Sequence, residues 1–404
     1  MMTNKTEESK AKAKVKPKKR GKYDWVDTAG FTHRYSFDTQ AIDQPRTTWI
    51  VLLSVTFVAF IIGCILIRYL PEKKSSTFYY SKYANNQAEL FASVATFDLS
   101  EPVHPSAITK GPTLSEENEG EILETETFFV AGDEKVVLYN IKGEKINEWS
   151  FGTPDSESEK TIEHPKSLCF VHQKNHPLNN CLLIAFKNRI DFLNTAQQKA
   201  TIQPFLTFDD NSYLTSLTVD QANLYVADYA QKIIYKYNGS DCKNRSMEIG
   251  QVTEANQEEG FLGLVLSASP YFDIAFHPSL NSILATNSVR FRIESFDAET
   301  GEWQKDNSWE KHPGNPNGFT GCCNPVLLNV FPNGQILTAE KGKTAPVKLF
   351  DVKGNFHYLI NLPEKTIPLD GQSTLRPAIL NDSRIVLLSP SGQLELFERS
   401  EPPK

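Results

Sequence analysis

Short apolar runs separated by turn residues recur along most of this chain. In residues 318–350, the run VLLNVF leads through Pro332, Asn333 and Gly334 into QILTAE, and a turn containing Gly342 leads into PVKLF. Asn and Gly allow the positive φ that tight hairpin turns need, and Pro is common in such turns. This stretch therefore predicts three consecutive antiparallel strands.

Six copies of this three-run unit follow one another. Their third runs each carry an aromatic residue, and these aromatics lie 45–59 residues apart: Tyr139, Phe192, Tyr237, Phe296, Phe350 and Phe397. A sheet of three or four short strands cannot bury both faces alone, so neighbouring sheets must stack, and closing the stack into a ring leaves only short edges. The pattern predicts an all-β fold, a six-bladed β-propeller over residues 119–400.

An uncharged apolar run precedes the repeats. Residues 49–67, WIVLLSVTFVAFIIGCILI, number 19 and would span about 29 Å as a helix, close to the ~30 Å core of a bilayer. The run is longer than the ~7–15-residue core of a cleaved signal peptide, which favours a permanent anchor. We predict a single transmembrane helix over residues 49–70.

The flanks of this run differ in charge. Residues 1–48 hold 11 Lys and Arg against 6 Asp and Glu, and a basic excess marks the cytoplasmic side of a membrane. We therefore predict a cytoplasmic basic tail over 1–48, disordered where it is richest in lysine, and a periplasmic or extracellular propeller. Residues 71–118 are predicted as a linker that could also complete the first or last blade.

The propeller region is acidic although its tail is basic. Arg68 adds one further positive charge, so the chain from Glu72 onward carries −13 within a total of −7. Nucleic-acid contacts need a basic surface, so this composition argues against nucleic-acid binding. The predicted partners are the membrane and either a protein or a small ligand at the propeller face.

The adjacent residues Cys322 and Cys323 come immediately before a predicted inner strand. Three interpretations remain open: a structural disulfide or packing thiols, a redox-active pair, or two ligands of a soft metal ion. A metal ion is the one cofactor that this pair would hold, and no ligand spacing in the sequence requires it. Zinc sites usually have four ligands, so two cysteines supply only half a set.

A candidate central site is built around the two cysteines. Asn324 follows them directly, Glu340 and Lys341 end the next strand as a charge pair, and Arg290 ends the corresponding run of the previous unit. If these side chains face the axis, an anionic ligand would suit the arginine. No catalytic residue is assigned, because the sequence has no nucleophile elbow, zinc-binding His-Glu-x-x-His helix or phosphate-binding glycine loop.

Two stretches resemble a known family. Residues 224–239, LYVADYAQKIIYKYNG, resemble an NHL-type repeat, which implies that Asp228 accepts hydrogen bonds from the turn after its strand. Residues 270–356 resemble bacterial membrane-anchored NHL proteins that carry Gly-Cys-Cys-Asn-Pro, here 321–325, and Glu-Lys-Gly, here 340–342.

Together these features predict a membrane-tethered, extracytoplasmic NHL-like propeller that serves as a platform for binding or assembly. The alternative is an enzyme: a redox accessory protein, or a metal-dependent hydrolase or lyase. It would use Cys322 and Cys323, or a metal in the central channel held by such side chains as Asp273 and Asn287.

Overall fold

Six antiparallel four-stranded sheets surround one axis as the blades of a β-propeller. The computed structural model of the chain describes residues 20–26, 32–38, 90–99, 101–102, 104–118, 121–151, 163–197, 199–313, 317–363, 366, 368 and 373–400. Its first strands are β1 (Arg20–Val26), β2 (Thr32–Asp38), β3 (Phe91–Asp98), β4 (Ala107–Lys110), β5 (Leu114–Asn118) and β6 (Glu121–Thr125).

Each blade begins with an inner strand beside the axis and continues outwards. Blade one consists of β4, β7 (Thr127–Ala131), β8 (Lys135–Asn140) and β9 (Lys145–Ser150). Blade two consists of β10 (Ser167–Phe170), β11 (Cys181–Ala185), β12 (Arg189–Asn194) and β13 (Gln203–Thr207). Blade three consists of β14 (Leu214–Val219), β15 (Leu224–Asp228), β16 (Ile233–Asn238) and β17 (Asn244–Ile249).

The remaining blades repeat this order. Blade four consists of β18 (Ile274–His277), β19 (Ser282–Asn287), β20 (Arg292–Asp297) and β21 (Trp309–Glu310). Blade five consists of β22 (Leu327–Val330), β23 (Ile336–Ala339), β24 (Val347–Phe350) and β25 (Phe356–Leu359). Blade six consists of β26 (Arg376–Asn381), β27 (Arg384–Leu388), β28 (Gln393–Arg399) and β3.

Helical segments in the described residues are short. One α-helix, α1 (Glu254–Glu258), lies in the connection between blades three and four and begins with a capping box formed by Thr253 and Asn256. Three single 3₁₀ turns occur at Pro278–Leu280, Ser288–Arg290 and Lys305–Asn307.

The burial pattern explains why the second run of each unit is so apolar. The second strand of blade one, TFFVA, is buried at every position, whereas its fourth strand, KINEWS, is mostly exposed. A strand whose two faces are both covered by neighbouring sheets loses the polar alternation of a half-exposed strand. The outer strand faces solvent and is therefore polar, which makes it hard to recognise in the sequence.

The hydrophobic core consists of layers between neighbouring blades. Leu337 and Val347 of blade five pack with Leu387 and Phe397 of blade six, and the other five junctions have equivalent clusters. Each sheet therefore gains its stability from the two sheets beside it, as the sequence pattern predicted. The six-bladed propeller is confirmed.

A strand from the N-terminal side closes the ring. β3 pairs antiparallel with β28, and the register sets Phe91 opposite Arg399 and Asp98 opposite Gln393. The predicted boundary at residue 119 is therefore too late, because both this strand and the inner strand of blade one lie within residues 71–118. A hairpin of β5 and β6 is inserted between β4 and β7 and interrupts the repeat there. This insertion makes the inner strand of blade one hard to recognise in the sequence.

The N-terminal region, Met1–Lys74, forms a unit separate from Ser75–Lys404. In it β1 and β2 pair as a hairpin, with Tyr23 opposite Tyr35 and Trp25 opposite His33. Disorder is predicted for the lysine-rich residues 1–24, of which the described ones, 20–24, belong to β1; residues 1–19 lie outside the described residues. The predicted transmembrane segment, residues 49–70, lies outside the described residues. Among those described, no helix is long and apolar enough to cross a membrane.

Candidate functional site

The inner strands of the six blades enclose an axial channel with a cavity of about 220 Å³. Since every blade repeats the same strand order, these strands run parallel, and the residues at their N-terminal ends meet at one end of the channel. That end is polar: Lys166 and Asp273 precede their strands, Arg376 begins its strand, and Thr215 follows the first residue of its strand. We call these four residues the channel mouth.

Asp273 is the acidic group of the channel mouth. Its Oδ2 accepts a hydrogen bond from the backbone N–H of Leu328 at 2.7 Å, and its Oδ1 accepts one from Ile274 at 3.1 Å. Burial raises the pKa of Asp273 to about 6, although these hydrogen bonds, the Ser216 hydroxyl and the charge of Arg376 oppose the shift. A carboxyl of this kind changes its charge just below neutral pH.

Two cations accompany this carboxyl. Arg376 donates from Nη1 to the carbonyl oxygen of Lys166 at 3.3 Å, and Lys166 Nζ lies 5.6 Å from the ring centroid of Tyr213. Burial lowers the pKa of Arg376, while Tyr271, Asp273 and Tyr213 act in the opposite direction. The guanidinium stays charged, because its ordinary pKa lies far above neutral. The channel mouth therefore has a net positive charge even when Asp273 is ionised.

Glu340, predicted to face the central site, is buried inside blade five instead. It is fully buried, and its Oε1 lies 2.6 Å from Nζ of Lys348, which is also fully buried. Its Oε2 accepts hydrogen bonds from the backbone N–H and the hydroxyl of Thr320. The sequence pairs Glu340 with its neighbour Lys341, but adjacent residues in an extended segment point to opposite sides.

Lys341 and Asn324 hold loops together. Nζ of Lys341 donates to Oγ of Ser269 at 3.1 Å, which links blade five to the connection before blade four. The buried amide of Asn324 donates to the carbonyls of Thr320 at 2.7 Å and Lys341 at 2.9 Å, and its Oδ1 accepts from the N–H of Lys341 at 2.9 Å. The Gly-Cys-Cys-Asn-Pro and Glu-Lys-Gly motifs therefore form one structural unit.

The two cysteines of this unit are thiols. Cys322 is exposed, Cys323 is half-buried, and the Sγ atoms are 3.5 Å apart. Burial and the contact with Cys322 raise the pKa of Cys323, and the charge of Lys341 lowers it. They lie in the loop before β22, on the same side of the propeller as the channel mouth.

Arg290 lies away from the channel. It occupies the turn between the second and third strands of blade four, where Nη2 donates to the carbonyl of Leu262 at 3.4 Å. Arg292, two residues later, pairs with Glu294 and Glu310. The structure thus does not bring Arg290 together with the cysteines.

A metal site assembled from the predicted oxygen ligands is not formed either. Asn287 binds Glu294 within blade four and the backbone N–H of Val265 in the connection before that blade, and Glu340 is paired with Lys348. Among the described residues, no group of three or more His, Cys, Asp or Glu side chains is arranged to hold a metal ion. Asp228 does accept hydrogen bonds from the N–H groups of Ala230 and Gln231, as the NHL resemblance implied.

Sequence reasoning missed Lys166 and Arg376 altogether. They are 210 positions apart and meet only because the ring closes. The one available signal was their position, since each lies beside a proline at the start of an inner strand.

The fold and the channel mouth define an all-β six-bladed propeller with a polar axial site. No family model matches the chain, and no curated protein matches it. Similar solved structures include virginiamycin B lyase from Staphylococcus aureus, with 12% identity, 77% of this chain and 100% of that chain covered, and a TM-score of 0.47. Another is a structural genomics protein of unknown function from Bacteroides thetaiotaomicron, with 9% identity, 78% and 74% coverage, and a TM-score of 0.47.

A catalytically inactive form of the same lyase with quinupristin also matches, at 13% identity, 77% and 100% coverage, and a TM-score of 0.44. Similarity at this level concerns the fold alone and says nothing about the activity of this chain. The relationship to NHL proteins stays a prediction.

Proposed function

We propose that this chain is a membrane-tethered, NHL-like propeller that binds a small ligand with an anionic group at its channel mouth. The observation that supports this function is that Lys166 and Arg376 both line one end of the channel, where the guanidinium of Arg376 donates to the backbone carbonyl of Lys166. A guanidinium matches the geometry of carboxylate and phosphate groups, and an ammonium contributes a second point charge.

The acidic charge of the rest of the propeller also supports binding of a small anion. The chain from Glu72 onward carries −13, yet the described residues of the channel mouth have two cations and one carboxyl. A positive site inside an acidic body attracts one small anion into a confined space and disfavours large polyanions at the surface. This combination suits a carboxylate or phosphate ligand rather than nucleic acid.

Asp273 gives the proposed site a pH dependence. With a pKa of about 6, its carboxyl is ionised at neutral pH and repels an anion, and it becomes neutral and able to donate a hydrogen bond at lower pH. The affinity for an anion should therefore rise as the pH falls through about 6.

The test is calorimetric titration of the full-length chain with inorganic phosphate and with succinate. Arg376→Gln should weaken binding of the better probe by about tenfold or more, which corresponds to roughly 1.4 kcal/mol. Arg245→Gln is the matched control, because Arg245 is an exposed arginine on the outer strand of blade three. A wild-type chain that binds neither probe, or an equal effect of both substitutions, would contradict the proposal.

The tether and the location are part of the proposal. They are supported by the apolar run 49–67 and by the basic residues before it, and the separation of Ser75–Lys404 as its own compact unit fits an anchored domain. Recovery of the full-length chain in the soluble fraction of lysed cells, or cleavage of the propeller by a protease confined to the cytoplasm, would refute it.

A further inference from the structure

The loop 318–324 is fixed by an unusual set of buried polar groups. Lys348 and Glu340 form an ion pair in the interior of blade five, and both side chains are fully buried. Removing two charges from water is unfavourable, and their attraction rarely does more than balance that loss. Such a pair therefore contributes little to net stability. We infer that its role is to position the loop 318–324.

Both ions of the pair also form hydrogen bonds to the same loop. Nζ of Lys348 donates to the carbonyl oxygen of Gly318, and Oε2 of Glu340 accepts from the N–H and hydroxyl of Thr320. The buried amide of Asn324 secures the other end through Thr320 and Lys341. Together, these contacts specify the conformation of a loop that would otherwise be free to vary.

What the loop presents is the pair of thiols. Cys322 is exposed and its sulfur lies 3.5 Å from that of Cys323. The other cysteines of the described residues are less accessible than Cys322: Cys181 and Cys242 are buried, and Cys169 is half-buried. Burial raises the pKa of Cys169 to about 12, that of Cys242 to about 11, and that of Cys181. Cys322 is exposed and can meet a reagent from solution.

We propose that Cys322 and Cys323 form a dithiol–disulfide couple that exchanges with an external disulfide. The thiolate of Cys322 attacks one sulfur of the external disulfide, a mixed disulfide forms, and one thiolate leaves. The thiolate of Cys323 then attacks Sγ of Cys322, forms the Cys322–Cys323 bond and releases the second thiolate. The cysteine pair loses two electrons and two protons, and the external disulfide is reduced to two thiols.

A metal site is the competing interpretation of the same pair, and the described residues favour it less. A structural zinc site typically has four ligands, and no third His, Cys, Asp or Glu among the described residues completes a set with the two sulfurs. The exposed position of Cys322 also suits attack on a soluble disulfide.

The test uses the full-length chain, equilibrated without oxygen in mixtures of reduced and oxidised glutathione at mildly alkaline pH. Remaining thiols are alkylated, and the peptide that contains both cysteines is analysed by mass spectrometry. Wild type should lose two hydrogen atoms from this peptide. Cys323→Ser should instead retain one glutathione on Cys322, because the resolving thiol is missing, and Cys322→Ser should react more slowly, because Cys323 is half-buried.

The role of the loop is tested in the same assay. Asn324→Ala removes the side chain that closes the loop and should lower the equilibrium constant for forming the Cys322–Cys323 bond by about tenfold, because the two thiols lose their fixed proximity. Asn333→Ala is the control: it changes an exposed turn at the other end of blade five and should leave the constant unchanged.

Any of three results would overturn the proposal: wild type stays a dithiol in excess oxidised glutathione, accumulates the same adduct as Cys323→Ser, or retains zinc on both sulfurs through the oxidation. An equilibrium constant that is identical in Asn324→Ala and wild type would refute the part assigned to the loop.

Discussion

Single residues in this propeller show how position within the ring changes the chemistry of a side chain. Asp273 lies in the channel wall and its pKa is raised to about 6 by burial. Glu340 lies in the interior of a blade, where it meets a lysine at 2.6 Å. Both are acidic residues next to an inner or second strand, and the sequence alone does not distinguish the titrating one from the one held in an ion pair.

Asp273→Asn should alter the pH dependence of folding. Because the pKa of Asp273 is raised in the folded state, its contribution to stability is fully present below the ordinary value of 3.8 and is lost as the pH rises through about 6. Asparagine cannot ionise, so the variant should match wild type near pH 4 and exceed its free energy of unfolding by ~1–3 kcal/mol at pH 7. Urea unfolding across this range measures the difference.

The exposed Asp306 supplies the control for this comparison. Asp306→Asn removes a carboxyl outside the channel mouth and so measures the general effect of losing one carboxylate. If the difference between Asp273→Asn and wild type is the same at pH 4 and pH 7, the carboxyl in the channel does not titrate as inferred.

Among the elements, the third strands were the easiest to predict and the fourth strands the hardest. Every aromatic used to align the repeats lies on a third strand, because an aromatic there fills the layer between blades, as Phe350 and Phe397 do. The inner strand Ala107–Lys110 was missed because an inserted hairpin separates it from the other strands of its blade.

The candidate site was predictable only in part, for a related reason. The repeat pattern predicts which residues lie on strands, so it correctly predicted that the cysteines and Asn324 precede an inner strand. It does not say which distant strands become neighbours, and Lys166 and Arg376 meet across 210 positions. The partner of Glu340 was likewise hidden, because Lys348 lies on the next strand rather than beside it in the sequence.

Breaking the buried ion pair should destabilise blade five strongly. Glu340→Gln leaves the ammonium of Lys348 buried without a counter-charge, and such a change costs about 3–5 kcal/mol. Replacing both residues, as in Glu340→Leu with Lys348→Met, removes both buried charges and should recover most of that loss. Chemical denaturation of the two variants provides the measurement.

The exposed pair of Arg245 and Glu248, at 3.5 Å, serves as the reference for this experiment. Glu248→Gln should change the free energy of unfolding by no more than about 1 kcal/mol, as is usual for surface pairs. If Glu340→Gln has an equally small effect, the pair does not organise the blade.

At the scale of the whole molecule, the ring and its layers explain why the site lies where it does. Each of six sheets packs against two neighbours, so the inner strands are held in a fixed circle around the channel. Side chains from distant positions can then converge without a dedicated binding loop. The same closure makes stability a property of the complete ring, which depends on the strand that joins its two ends.

That dependence can be measured at Phe91, the first residue of the closing strand. Its side chain is buried, lies 6.0 Å from the Phe331 ring between centroids, and packs in the layer between blades five and six. Phe91→Ala should lower the free energy of unfolding by about 3–5 kcal/mol, because a large cavity opens where β3 pairs with β28.

Val94 supplies the control for this prediction. It lies on the same strand but is 50% exposed, so Val94→Ala should change the free energy of unfolding by no more than ~0.5 kcal/mol. Urea unfolding compares the two, and hydrogen exchange should show faster opening of β28 in Phe91→Ala. Equal effects of both substitutions would mean that the strand is not what holds the ring closed.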